Sequence, residues 1–272
     1  MTSRRFAGLL AAPAILLSLA LVGKAAEAGR SSSTLRVFAA SSLANAFGDI
    51  TREFERTHPG VSVQINLAGS HQLATQLEHG ATGDVLASAD QRWMEHVRSL
   101  TLLAGDPVPF ARNRLVVSVP RTNPARIERL QDLARRGVKV VMGAQAVPVG
   151  AYSREVLEKL GRTQGFPPDF ARRVLANVVS EEENVKSVIG KVQLGEADAG
   201  FVYRSDVTPA LARFVRVLEI PDSANVIATY PIAVLENAPA PVAARAFVAL
   251  VLSPEGQAIL RRHGLIPAAD VP

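Results

Sequence analysis

Residues 35–55, LRVFAASSLANAFGDITREFE, limit the fold more than any other stretch of the chain. The apolar run at 35–40 reads as a buried strand. Beyond Ser41 and Ser42, the residues Leu43, Ala46, Phe47, Ile50 and Phe54 recur at the i, i+3, i+4, i+7, i+11 spacing of an amphipathic helix. A strand therefore runs through two hydroxyls straight into a helix. The first N–H groups of a helix have no partner inside it, and they lie at the positive end of its dipole, so such a junction can hold an anion. Serine is also a common helix cap anywhere in a protein, and on this stretch alone both readings of the pair stand.

The arrangement recurs. Residues 61–67, VSVQINL, alternate as a half-buried strand does, and Ala68, Gly69 and Ser70 lead into a helix through Leu73 and Leu77. A strand at 138–142 is followed by 146–152, AVPVGAY, and a helix through Val156, Leu157 and Leu160, with Gly161 expected at its C-cap. An extended segment at 177–180 precedes Glu181, Glu182, Glu183 and Asn184, then Val185, Val188, Ile189 and Val192 at helical spacing. The glutamates are expected to favour that helix start through its dipole. Further strands are expected at 84–88, 115–120, 199–203, 215–220 and 228–235. Helices are expected around Trp93 to Val97, at 127–133, at 170–176 and at two places after 244. Strands and helices alternating in this way imply an α/β fold with largely parallel sheets, in which ligands bind at the carboxyl ends of strands.

The N-terminus reads as an export signal. Arg4 and Arg5 precede an almost wholly apolar stretch at 6–22, and Ala26-Glu27-Ala28 is an A-x-A cleavage site. Cleavage near Ala28 leaves 244 of the 272 residues and points to the periplasm; an uncleaved anchor is the alternative. The segment carries three basic groups and one acidic group, so the net charge falls from +5 to +3 on its removal. Basic residues are scattered, and only 5% of residues are aromatic, which argues against nucleic acid as a partner. The absence of cysteine excludes a lipid-modified N-terminal cysteine, a cysteine metal site and a cysteine nucleophile. No G-x-S-x-G, H-E-x-x-H, Walker or G-x-G-x-x-G pattern is present, and the five histidines lack ligand spacing, so no enzyme and no cofactor is expected. Asp84 and Asp90 are expected at a strand end and a helix cap rather than as a catalytic pair.

Several motifs, in order, resemble the periplasmic molybdate-binding proteins of bacterial ABC transporters. They are VFAASSLANAF at 37–47, LAGSHQLATQL at 67–77, GDVLASADQRWM at 83–94, NRLVVSVP at 113–120, VPVGAYSREVLEKLG at 147–161, ENVK at 183–186 and GEADAGFVYRSD at 195–206. The resemblance spans nearly all of the chain beyond the signal. It implies a two-lobed class II periplasmic binding-protein fold, each lobe a mainly parallel sheet flanked by helices, with the ligand cleft between lobes. The lobes are expected over 29–112 plus 234–272 and over 113–233.

That family holds a tetrahedral oxyanion by neutral donors. Carried over motif by motif, Ser42 and Ser70 resemble the hydroxyl ligands, Val149 and Val185 the backbone N–H donors, and Tyr203 the tyrosine that completes the shell. These five would touch the oxygens of molybdate or tungstate rather than the metal itself. Ser41 is a plausible neighbour, and Gly69 and His71 stand where related chains often carry more serines. The resemblance further implies delivery to an inner-membrane ABC transporter permease by a monomeric receptor. Sulfate, an organic anion or iron are the alternative ligands for the same fold. Three tyrosines, Tyr152, Tyr203 and Tyr230, keep iron open.

Overall fold

The structure is a computed structural model that describes residues 33–267, so the expected export signal lies outside the described residues. The chain opens with β1 (Ser33–Ala40), a 3-10 turn (Ser41–Leu43) and α1 (Ala44–Thr57). Then come β2 (Val61–Ala68), α2 (Ser70–Glu78), β3 (Val85–Ala87), α3 (Gln91–Ser99) and β4 (Val108–Pro120). A 3-10 turn (Leu130–Ala134) precedes β5 (Val140–Gly143), α4 (Pro148–Gly161), α5 (Phe170–Ala176), β6 (Val178–Glu182), α6 (Val185–Gln193) and β7 (Ala199–Tyr203). The remainder is β8 (Val215–Glu219), β9 (Ile227–Val234), α7 (Pro241–Leu252), α8 (Pro254–Arg262) and β10 (Ile266–Pro267).

The strands form one curled sheet in the order β2-β1-β3-β9-β4-β7-β5-β6, with β8 and β10 attached to β4. At one end β1 lies parallel to β2 and β3; at the other β5 lies parallel to β6 and β7. Parallel pairing thus holds for the outer strands. The middle is antiparallel, because β4 runs against β9, β10, β7 and β8. One long strand, β4, ties the halves together. The first half of β4, through Arg114, pairs with β9, and its second half, from Leu115, pairs with β7.

Burial follows the periodicity. Leu43, Ala46, Phe47, Ile50 and Phe54 are all buried, and α1 packs Phe47 and Phe54 edge-on against Phe247 of α7, with ring centroids 5.9 and 5.3 Å apart. Each such side chain removed from water contributes ~1.5–3 kcal/mol. A second apolar cluster joins Leu73 and Leu77 of α2 to Met94 and Val97 of α3 beneath Phe38 and Leu86. These two packings hold the starts of α1 and α2 side by side over the ends of β1 and β2.

Three local expectations need correction. Gly161 belongs to the last turn of α4, and Arg162 follows as the cap. Glu181 and Glu182 extend β6 instead of entering the first turn of α6, so they act through pairs and not through the helix dipole. Glu181 pairs with Arg154, and Glu182 with Lys191 at 2.6 Å. Finally, β4 begins at Val108, seven residues before the expected 115, with its register shifted between Pro109 and Ala111.

Candidate anion-binding site

Four strand-to-helix junctions converge on one small cavity. They are β1 into the turn at Ser41, β2 through Gly69 into α2, β5 by a short loop into α4, and β6 through Asn184 into α6. The lining includes Ser41, Ser42, Gly69, Ser70, Ala89, Pro148, Val149, Asn184, Val185 and Tyr203. All five residues carried over from the motifs are therefore brought together, and all five are buried.

The first two junctions present hydroxyls. Ser42 Oγ lies 3.0 Å from Tyr230 OH, and Ser70 Oγ accepts the Ala89 N–H at 2.9 Å. The other two present backbone. In α4, Pro148 has no N–H and Ala151 N–H is bound by Val147 O at 3.0 Å, which leaves Val149 and Gly150 as the first donors without a helical partner. A β-carbon on Gly150 would lie 2.1 Å from Ala144 O and 2.2 Å from Gly143 O, so glycine is what lets this helix start sit on the end of β5. In α6, Asn184 Oδ1 takes the Ser187 N–H at 3.0 Å, and Val185 and Lys186 keep theirs. Tyr203 ends β7 with its side chain buried, and its hydroxyl has no hydrogen-bond partner among the described residues. A buried hydroxyl left so costs about 1–3 kcal/mol, which a bound acceptor would recover.

Among the described residues, no charged side chain lines the cavity. The nearest cation along the chain, Lys186, is paired at 2.9 Å with Asp206, a fully buried carboxylate. Burial raises the Asp206 carboxyl, and Lys186 offsets that rise only in part. Asp206 also accepts the Tyr203 N–H at 3.2 Å, so the ion pair fixes the tyrosine's backbone. Burial pushes the Tyr203 phenol well above its ordinary range, so it stays an O–H donor at neutral pH. Asp84, just before β3, accepts the N–H groups of Arg36 within β1 at 2.7 Å and of Ala240 ahead of α7 at 2.6 Å. Asp90 caps α3 by accepting the Trp93 N–H at 3.0 Å, and burial pushes its carboxyl up to about 6.

Contacts between the two ends of the sheet enclose the cavity. Trp93 Nε1 donates to Ala146 O at 2.8 Å, and Gln72 donates to the Glu183 carboxylate. Gly69 sits so close to Glu183 that a β-carbon would lie 2.5 Å from its carbonyl oxygen. His71 is not in the lining; its ring lies 6.2 Å from that of Trp93, and burial lowers its pKa. Sequence reasoning missed Tyr230 and Asn113, which stand behind Ser42. The available signal was a polar residue at the head of the motif at 113–120, placed on a strand that proves fully buried at that point.

A cavity of N–H and O–H groups offers donors and no anionic ligand. Among the described residues, no group of three His, Cys, Asp or Glu side chains is placed to hold a metal ion. The donor set suits an oxyanion and gives an iron ion neither imidazole nor carboxylate.

Residues 35–266 match the model of a family described as bacterial extracellular solute-binding proteins. The molybdate-binding protein ModA of Mycobacterium tuberculosis is 42% identical over 228 residues, 84% of this chain and 82% of that protein. ModA of Escherichia coli is 32% identical over 273 residues, 96% of this chain and 98% of that protein. The structure of a periplasmic molybdate-binding protein from Azotobacter vinelandii superposes with a TM-score of 0.73 at 20% identity, covering 85% of this chain and 98% of that one.

Proposed function

The chain belongs to the bacterial extracellular solute-binding proteins, and on that premise we propose that it is a molybdate receptor whose ligand sits in the cavity between the four helix starts. It is a periplasmic protein that hands molybdate to the membrane permease of an ABC transporter, a transport role without catalysis, in keeping with its ModA relatives. The observation that carries the site is the convergence of Ser42, Ser70, Val149, Val185 and Tyr203 on a cavity with no charged lining. Ser42, Ser70 and Tyr203 would donate through hydroxyls, and Val149 and Val185 through backbone N–H groups.

Neutral donors suit a fully ionised anion. Molybdate and tungstate offer only acceptors near neutral pH, whereas phosphate keeps a proton that needs an acceptor of its own. A mismatch of that kind costs about 1–3 kcal/mol when buried. Sulfate has the same pattern in a smaller body and is rejected by cavity size. Tungstate, nearly equal in size to molybdate, binds as well on this reading.

The switch of partners within β4 at Arg114 and Leu115 supports a first crossing between lobes there, close to the expected 112/113 boundary. Because β9 pairs with the first half of β4, we set the return crossing just before Ile227 and keep all of β9 with the first lobe. The mature receptor begins after Ala28 and acts as a monomer. Calorimetric titration of the mature protein with molybdate, tungstate, sulfate and phosphate tests the reading. One-to-one binding of the first two is expected, with the others weak. Binding of none of the four by a folded protein would contradict it.

A further inference from the structure

Ser42 is not alone behind the cavity wall. Its Oγ lies 3.0 Å from Tyr230 OH, and Tyr230 OH lies 3.4 Å from Asn113 Nδ2. The orientation of Asn113 is fixed at both ends: Oδ1 accepts the Arg114 N–H at 3.0 Å, and Nδ2 donates to Ser205 Oγ at 2.7 Å. The amide therefore turns N–H groups toward Tyr230, whose oxygen accepts. The phenol's own hydrogen then has Ser42 Oγ as its partner. Burial raises the Tyr230 pKa, so that hydrogen is present throughout the neutral range. With one lone pair of its oxygen facing the phenol, Ser42 is left to turn its hydrogen into the cavity. Ser70 stands the same way, since its oxygen accepts the Ala89 N–H.

We propose that Tyr230, oriented by Asn113, is a positioning residue that aims the Ser42 hydrogen into the cavity and so favours anions that carry no proton. The inference rests on the oxyanion reading above. Without the phenol hydroxyl, Ser42 is free to turn its lone pairs into the cavity, and a protonated anion gains a partner that the wild-type orientation disfavours.

Tyr230→Phe keeps the buried ring and removes the hydroxyl. Titrated with molybdate and with phosphate at pH 7, it should bind molybdate about tenfold more weakly without a matching loss for phosphate, so that the ratio of the two affinities narrows by about tenfold, the scale of one hydrogen bond. Asn113→Ala leaves the tyrosine in place but frees its oxygen to accept from Ser42, and should narrow the ratio by about threefold. In a Ser42→Ala background, Tyr230→Phe should leave the ratio where Ser42→Ala alone sets it. Parallel losses for both anions, or a ratio unmoved in both single variants while the wild type binds molybdate, overturn the inference alone. A wild-type protein that binds neither anion overturns the function reading and this inference with it.

Discussion

The two ends of the sheet make the same cavity wall from different chemistry. The end built on β1 and β2 contributes side chains, Ser42 and Ser70, each with its oxygen held from behind by another group. The end built on β5 and β6 contributes helix starts whose donors are main-chain N–H groups of Val149 and Val185. A hydroxyl is lost to almost any substitution; a backbone N–H is lost only to proline. The first end is thus exposed to most mutations at the ligand residue, and the second, proline apart, through whatever places its backbone.

The sharpest way to break this contrast is at Gly150. Its replacement by alanine drives a β-carbon into two backbone carbonyl oxygens, at 2.1 and 2.2 Å, so the start of α4 must move. Gly150→Ala should cost about 3 kcal/mol of stability, as overpacking against rigid backbone does, and abolish anion binding. Denaturant unfolding and calorimetry of the same variant check both; near-wild-type binding would show that the helix start is not what presents the Val149 N–H.

Asp90 probes the first end differently, as a buried carboxyl near the hydroxyl donors. Its folded pKa, near 6, is raised above the ordinary 3.8, chiefly by burial. The folded state therefore holds a proton that the unfolded state has released. Its contribution to stability is complete below pH 3.8 and is lost as pH rises through about 6, an effect of up to about 3 kcal/mol. Asp90→Asn retains a capping side chain and has nothing to ionise. The stability difference between wild type and variant should move in the variant's favour between pH 4 and pH 7, a window set by those two values. A difference that stays flat with pH would remove Asp90 as a buried titrating group.

Next in size are Ser42→Ala and Ser70→Ala, each expected to weaken molybdate binding by about 1–3 kcal/mol, the cost of a hydrogen bond to a charged group. Ser70→Ala also strands the buried Ala89 N–H and should lower the unfolding midpoint. Smallest of all are Val149→Ala and Val185→Ala. Each gives up ~1.5–3 kcal/mol of buried side chain yet keeps its N–H, so the folded protein should bind molybdate with unchanged affinity. Weaker binding in these valine variants, measured well below their unfolding temperature, would mean that the side chains matter at the second end after all.

The same contrast governs what could be read from the sequence. At the first end, Ser42 and Ser70 stand out as hydroxyls between a strand pattern and a helix pattern, and the structure lines the cavity with both. At the second end, Val149 and Val185 carry no chemical mark. They could be chosen only by the resemblance of their motifs, although the helices that follow were legible from the spacing of Val156, Leu157 and Leu160 and of Val185, Val188, Ile189 and Val192. The glutamates misled because period-2 pairing with β5 outweighed the dipole preference that a run of acids suggests before a helix. The early start of β4 was hidden by Pro107 and Pro109, residues that argue against a strand interior and are accommodated here where the register shifts. Tyr230 meets Ser42, and Asn113 meets Tyr230, across long separations in the chain, and pairing of that range leaves no local signature.

The most direct test of the central claim is diffraction from crystals grown with molybdate, with data collected on both sides of the molybdenum absorption edge. One anomalous peak is expected in the cavity, with the anion's oxygens within hydrogen-bond reach of the Ser42, Ser70 and Tyr203 hydroxyls and the Val149 and Val185 N–H groups. A peak elsewhere on the protein with this cavity empty, or an anion held by lysine or arginine side chains, would contradict it.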